Sequence, residues 1–127
     1  MALKPVFATT PRISSVTIST VETSLTAPTN FGTVIAGVAA GTRVAEIVVK
    51  CAATSTAGLV RIFLHNGTSY YLFDEIVVAA ATSSASVATT RVSTSYNNLV
   101  LPDASWTVRA TTSVAQAIVV TAFGADL

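Results

Sequence analysis

Residues that carry charge or bind metal ions are scarce in this chain of 127 residues. Charged side chains make up 10% of the sequence, against about 25% in typical globular domains. His65 is the only histidine and Cys51 the only cysteine, which excludes the common zinc patterns and leaves one candidate general base. Among the acidic residues only Asp74 and Glu75 adjoin, and neighbours on a strand point to opposite faces. We therefore expect no catalytic residue, no metal site and no cofactor.

The features of nucleic-acid-binding and membrane-spanning proteins are also missing. The formal net charge is +1, and the seven Lys and Arg residues are scattered rather than gathered into a basic stripe. The longest apolar runs, such as residues 76–81, are far shorter than the roughly 20 residues of a spanning helix. One cysteine cannot form an internal disulfide, and residues 1–5 lack the apolar core of a signal peptide. We expect neither a nucleic-acid nor a membrane partner, and synthesis in a reducing cytoplasm.

Small and β-branched residues are abundant instead, since Thr, Ser, Val and Ala make up more than half of the chain. β-branched side chains favour strands over helices, and no segment shows a sustained helical period. About eight short strands separated by turn signals predict one all-β domain over residues 12–127, a jelly-roll-like antiparallel β-sandwich. In the first strand Ile13 is out of phase with Val16, which predicts a bulge after Ser14.

A clear alternation with a period of two precedes Cys51. It predicts a half-buried strand in which one face is the core face and the other carries the charged residues. The predicted core positions are Ala45, Ile47, Val49 and Cys51, and the predicted outer positions include Glu46 and Lys50. Cys51 is then a small buried hydrophobic residue rather than a reactive thiol.

The clearest hairpin is centred on Asn66-Gly67, because this dipeptide favours a two-residue type I′ turn. In that register His65 lies opposite Thr68 and Phe63 lies opposite Tyr70, whereas Arg61 lies opposite Leu72. We expect a core face made of Val60, Ile62, Leu64, Tyr71 and Phe73, and we expect Trp106 to fill the core as well.

The other face of this hairpin carries an unusual mixture of apolar, aromatic and ionisable side chains for a sheet that faces water. Such a mixture is typical of a surface that contacts another protein. We therefore predict a protein interface formed by Arg61, Phe63, His65, Tyr70 and Leu72, with Asp74 on the same face.

Residues 1–11 form a different kind of segment, because Pro5 and Pro11 interrupt any regular helix or ladder. We predict an extended N-terminal arm. Leu3, Val6 and Phe7 give it too much apolar surface for a solvated tail, so we predict that the arm docks on another chain through these three residues.

Four stretches of the chain resemble small virion structural proteins of tailed bacteriophages. These stretches are Ala-Gly-Thr-Arg-Val-Ala-Glu-Ile (40–47), Thr-Ser-Thr-Ala-Gly-Leu-Val-Arg-Ile-Phe-Leu-His-Asn-Gly (54–67), Asn-Leu-Val-Leu-Pro (98–102) and Val-Thr-Ala-Phe-Gly-Ala-Asp-Leu (120–127). The resemblance covers about two thirds of the chain and consists of strand and turn patterns. It supplies no catalytic residue.

The resemblance implies a capsid decoration or cement protein, made in the cytoplasm of a host bacterium and bound over the major capsid protein on the outer surface of the virion. The composition agrees, because a surface with so few charged residues has to be covered by another protein surface. Closed symmetry covers it on every copy, so we expect a homo-oligomer, most simply a trimer. A tail, baseplate or fibre component is the alternative within the virion. A carbohydrate-binding jelly roll is the alternative outside it, and exposed aromatic residues among Tyr70, Tyr71, Tyr96 and Trp106 would favour it.

Overall fold

A computed structural model describes residues 9–127, and within that range the chain forms nine strands and no helix. The strands are β1 (Thr10–Ile18), β2 (Gly32–Ala36), β3 (Thr42–Cys51), β4 (Gly58–His65), β5 (Tyr70–Val78), β6 (Arg91–Ser95), β7 (Val100–Leu101), β8 (Thr107–Thr112) and β9 (Ile118–Asp126). The first sheet has the order β1-β9-β3-β6, with β7 beside one end of β3, and the second has the order β2-β8-β4-β5. All pairings between these strands are antiparallel. The prediction of an all-β sandwich is confirmed.

The hydrophobic core lies between the inner faces of the two sheets. Ile47 and Val49 of β3 are fully buried there, as are Val60 and Ile62 of β4. Burying a side chain of this size contributes about 1.5–3 kcal/mol relative to leaving it in water. Cys51 is 2% exposed and belongs to the same cluster, so its predicted inward orientation is confirmed.

Two irregularities differ from the sequence prediction. β1 pairs with β9 without a break from Thr10 to Ile18, so the bulge predicted after Ser14 is absent. Ile13 is 68% exposed, because the ladder stays regular and an edge strand tolerates an apolar side chain on its outer face. β3 contains a bulge that was not predicted, where its pairing with β9 shifts between Val44 and Glu46. Ala45 is the extra residue and is exposed, contrary to its predicted core position.

β1 starts at Thr10, so the arm that was expected to reach residue 11 ends earlier. Pro11 has no N–H group to donate, but β1 is the edge strand of the first sheet, where a proline is tolerated. Leu3, Val6 and Phe7 lie outside the described residues, and the docking of the arm stays a prediction.

Glu22 organises the connection between β1 and β2. Its side chain is buried, and its carboxylate accepts the backbone N–H groups of Asn30 at 2.9 Å, Ser24 at 3.1 Å and Thr29 at 3.1 Å. The bonds from Asn30 and Ser24 lower the pKa of Glu22 below its ordinary value, against the opposing effect of burial. One ionised carboxylate thus closes a loop of nine residues, 22–30.

Candidate protein-binding surfaces

The β4–β5 hairpin closes through four residues, 66–69, rather than through Asn66-Gly67 alone. The side-chain Oδ1 of Asn66 accepts the N–H groups of Thr68 at 3.0 Å and Ser69 at 2.7 Å. A type I′ turn needs positive φ at both central residues, and only Gly67 has it here, at 96°. The predicted two-residue turn is therefore wrong, because the Asn66 side chain stabilises a wider loop.

The wider loop changes the partners across the hairpin but keeps most side chains on their predicted faces. Phe63 lies opposite Leu72 instead of Tyr70, a shift of two residues, and a shift by an even number preserves the face. Arg61 lies opposite Glu75, because Phe73 is an extra residue in β5. This bulge moves Asp74 to the inner side, contrary to its predicted outer position.

Arg61, Phe63, His65, Tyr70 and Leu72 all lie on the outer face of the second sheet. The structure brings these five predicted interface residues together, but it does not expose them equally. Phe63 is completely buried, whereas Leu72 is 38% exposed. Phe63 is thus covered by its own chain, so it offers no exposed surface for the predicted interface, and the interface itself stays a prediction.

Phe63 is buried by an aromatic and cationic cluster on that outer face. Its ring meets the ring of Tyr70 edge-on, with 6.0 Å between the centroids. Arg109 lies opposite Phe63 on β8, and its guanidinium stands 4.3 Å from the ring centre of Phe31. The Nη1 group of Arg109 also donates a hydrogen bond to the hydroxyl of Tyr70. These long side chains lie across the sheet and exclude water from Phe63.

The same outer face holds side-chain atoms with incomplete hydrogen bonding. Four buried atoms of the described residues have no hydrogen-bond partner: Nε of Arg61, Oγ1 of Thr107, Nε of Arg109 and Oγ1 of Thr111. Nε of Arg61 has only an ion pair with Oε2 of Glu75, at 3.6 Å. All four residues belong to β4 or β8 and point away from the core. A buried polar group without a partner costs roughly 1–3 kcal/mol. Among the described residues, all buried side-chain atoms without a hydrogen bond therefore lie on the outer face of the second sheet.

His65 is 8% exposed and supports the turn. Its Nδ1 accepts the N–H of Gly67 at 3.1 Å, and its ring lies 4.3 Å from that of Tyr70. Burial, together with the positive charge of Arg109, lowers the pKa of His65. A neutral, turn-bonded imidazole of this kind stabilises the hairpin.

A second surface, which the sequence did not predict, lies where the edge strands of the two sheets face each other. We call it the aromatic groove: an open cavity of about 550 Å³ lined by Leu64, Phe73, Trp106 and residues 96–102. The rings of Phe73 and Tyr96 are 5.3 Å apart, and Tyr71 stacks on Trp106 at 6.4 Å. Its size is within the usual range of ligand sites, about 300–1,000 Å³.

The aromatic groove corrects the core predictions for Tyr71 and Phe73 and modifies the one for Trp106. Tyr71 is 50% exposed and Phe73 is 42% exposed, although both were expected in the core. Trp106 packs against the core from the groove side and is only partly buried. The sequence carried little signal for this surface, because its aromatic residues come from three separate segments, Tyr71 and Phe73 of β5, Tyr96 and Trp106, that only the sandwich brings together.

Charge is absent from the walls of the groove but present beside it. No lining residue is charged, and the hydroxyl of Tyr96 donates to Oδ2 of Asp74 at 2.8 Å. Asp103 follows Pro102 at the rim and is exposed. Bonds from the side chain and the backbone of Ser105 lower the pKa of Asp103, so it is ionised at neutral pH. The groove thus offers an apolar floor with a negative charge at one end.

Among residues 9–127, no group of three or more His, Cys, Asp or Glu side chains could hold a metal ion. The same part of the chain contains no helix long and apolar enough to cross a membrane. No model of a known protein family matches the sequence, and no curated protein matches it either. The outer face of the second sheet and the aromatic groove are the candidate binding surfaces of the described residues.

Proposed function

We propose that this chain is a non-enzymatic virion structural protein, a capsid decoration or cement protein that binds the major-capsid lattice of a tailed phage through protein contacts. The strand orders support a jelly-roll topology, with β7 as an addition to the first sheet. Jelly rolls of eight strands in two sheets are common in viral capsid proteins. The sequence resemblance to phage virion proteins points the same way.

The observation that carries this proposal is the presence of exposed apolar residues on both outer faces of the sandwich. On the first sheet Ile13 pairs directly with Phe123, and the two side chains are 68% and 40% exposed. On the second sheet Leu72 and Val77 are 38% and 68% exposed. A protein that cements a lattice must contact at least two neighbours, and opposite apolar faces supply two contact areas.

The proposed location is the outer capsid surface, after synthesis in the cytoplasm of a host bacterium. The proposed assembly is a homo-oligomer, most simply a trimer, because closed symmetry covers apolar surface on every copy. The same surfaces would also serve in a tail, baseplate or fibre protein. The two locations differ in copy number, which is high and set by the lattice on a capsid.

The structure also supplies one observation for the carbohydrate-binding alternative, since Tyr71 is half exposed and stacks on Trp106. Recognition of a sugar also needs several polar groups aimed at its hydroxyls. The lining of the aromatic groove is mainly apolar, with Asn97 and Asn98 as its amide side chains. We therefore favour a protein ligand at this groove.

Co-sedimentation with capsid shells that lack this chain tests the proposal. We expect the purified chain to pellet with the shells, and Ile13→Asp and Val77→Asp each to reduce the bound fraction at least tenfold. Val87→Asp is the matched control, because Val87 is also half exposed but lies in the connection between β5 and β6. A chain that stays in the supernatant at all shell concentrations would overturn the proposal.

A further inference from the structure

We propose that the aromatic groove of one copy receives residues 1–8 of a second copy. This inference rests on the proposed function, because it supplies the contact that joins one subunit to the next. It goes further by naming both partners of that contact: the arm with Leu3, Pro5 and Phe7, and the groove with Phe73 and Trp106.

The chemistry of the two partners is complementary. In an extended chain residues two apart share a face, so an arm bound in extended form would present Leu3, Pro5 and Phe7 on one side and Lys4 on the other. Extended proline-containing segments bind in grooves lined by aromatic residues, because the proline ring packs on the rings and little conformational entropy is lost. The groove supplies such walls through Phe73, Tyr96 and Trp106.

The charges agree with this arrangement. No residue that lines the groove is charged, and the ionised Asp103 lies at the rim next to Pro102. Arg43 donates from Nη2 to the carbonyl oxygen of Asn97, at the other end of the lining segment. A cation such as Lys4 is thus favoured at the Asp103 end, and Asp74, which accepts from Tyr96, adds a second negative charge beside the lining.

The root of the arm is fixed, which limits what the arm can reach. The N–H of Thr9 donates to the carbonyl oxygen of Asp126 at 2.8 Å, and Nη1 of Arg12 contacts Oδ1 of Asp126 at 3.0 Å. Thr10 pairs with Asp126, Asp126 with Thr42, and Thr42 with Leu101. The arm root and the groove thus lie at opposite edges of the first sheet, at the same level.

The distance between these edges favours a second copy over the chain's own groove. Three strand spacings separate Thr10 from Leu101, or about 14 Å at 4.7–4.9 Å each. Crossing this distance takes about four residues at 3.3–3.6 Å per residue. Because Thr9 is held at Asp126, a chain that reached its own groove would need residues 5–8 for the crossing, which would leave Pro5 and Phe7 outside the groove. The arm of a second copy whose root lies beside the groove would need no such crossing.

Two full-length variants test the exchange in solution. Phe7→Ser damages the arm, whereas Val100→Arg damages the groove at a position that is 42% exposed, so the core is not altered. Val87→Arg is the matched control, with an exposure of 50% and a position away from the groove. Sedimentation equilibrium at tens of micromolar measures the mass, and the emission of Trp106, the only tryptophan, reports on the groove.

We expect the wild-type chain and Val87→Arg to be oligomeric, and Phe7→Ser and Val100→Arg each to lose at least tenfold in association constant. Trp106 emission should shift to longer wavelength in both damaged variants. An equal mixture of the two should form a complex of two chains, because the intact arm of one fits the intact groove of the other. A monomeric wild type, unchanged masses in the variants, or a mixture that stays monomeric would each overturn the proposal.

A synthetic peptide of residues 1–8 and the shell assay separate this inference from the proposed function. The peptide should shift the Trp106 emission of Phe7→Ser saturably and should bind Val100→Arg at least tenfold more weakly. If an oligosaccharide shifts the Trp106 emission saturably and the peptide does not, the groove binds a carbohydrate and the inference fails. If the wild type pellets with capsid shells but the peptide does not bind, the inference fails and the proposed function stands. If the peptide binds but the wild type does not pellet, the contact between arm and groove stands and the proposed function fails.

Discussion

Tyr70 packs edge-on against Phe63 on the outer face of the second sheet, with ring centroids 6.0 Å apart and ring planes at 88°. Phe63 is completely buried by this contact and its neighbours, although it points away from the main core. The hairpin therefore has a small aromatic cluster on the face that the alternation of the sequence marks as the outer one. This cluster stabilises the subunit itself.

Replacing Phe63 by Ala should accordingly lower the free energy of unfolding by about 3–5 kcal/mol, the usual cost of removing a large buried aromatic ring. Val77→Ala on the neighbouring strand is the control, because Val77 is 68% exposed and surface substitutions change stability by about 0.5 kcal/mol. Urea denaturation measures both. Equal midpoints for the two variants would show that Phe63 is not a buried residue.

The sequence predicted the fold well because its signals were local. Alternation with a period of two and a majority of small or β-branched residues indicate strands, and the order of turns indicates a sandwich. The faces of Phe63, Tyr70 and Leu72 were also predicted correctly, since the error in the turn was an even number of residues. The predicted register of the hairpin was wrong because the side chain of Asn66 accepts two backbone N–H groups and stabilises a four-residue loop. This loop competes with the type I′ turn.

The aromatic groove was not predictable in the same way. Tyr71 and Phe73 alternate like core residues, and nothing local shows that they lie at the margin of the sandwich. Their exposure depends on where residues 96–102 lie relative to β5, which is a tertiary property. Asp74 points to the inner side because Phe73 forms a bulge. The hydroxyl group that donates a hydrogen bond to Asp74 belongs to Tyr96, which is 22 residues away in the sequence.

Glu22 should give the protein a characteristic sensitivity to acid. Its pKa is lowered in the folded state, so its contribution to stability is present above the ordinary value of 4.5 and is lost as the pH falls through the folded value. We expect the free energy of unfolding to fall below about pH 4.5, and to fall less in Glu22→Gln, which is already less stable at neutral pH. Urea denaturation from pH 3 to 7 measures this difference; parallel curves for the two proteins would contradict it.

Tyr96 should give the opposite sensitivity at high pH. Burial first, and then the hydrogen bond to Asp74 and its charge, raise the pKa of Tyr96 above the ordinary value of 10.0. Its contribution to stability is complete below that value and is lost as the pH rises towards the folded one. We expect the free energy of unfolding to fall above pH 10.0, and this fall to be smaller in Tyr96→Phe. Denaturation curves at pH 8 and above test it, and an unchanged alkaline slope would exclude Tyr96 as its source.

Cys51 should be unreactive in the folded chain. Its side chain is 2% exposed and packs in the core, so a thiol reagent reaches it only when the sandwich opens. We expect the labelling rate to fall at least a hundredfold between unfolded and native protein, and to rise with urea in parallel with global unfolding. Rapid labelling without denaturant would contradict the packing of β3 against the second sheet.

Counting the chain in intact particles tests the central claim most directly. Quantitative mass spectrometry of the purified virions to which the proposal assigns this chain gives the ratio of the chain to the major capsid protein. The proposal predicts a constant ratio set by the symmetry of the capsid lattice, with one or a few chains for each group of capsid subunits. Absence of the chain from the particles would contradict a structural role, and a ratio of a few copies per particle would place it in the tail.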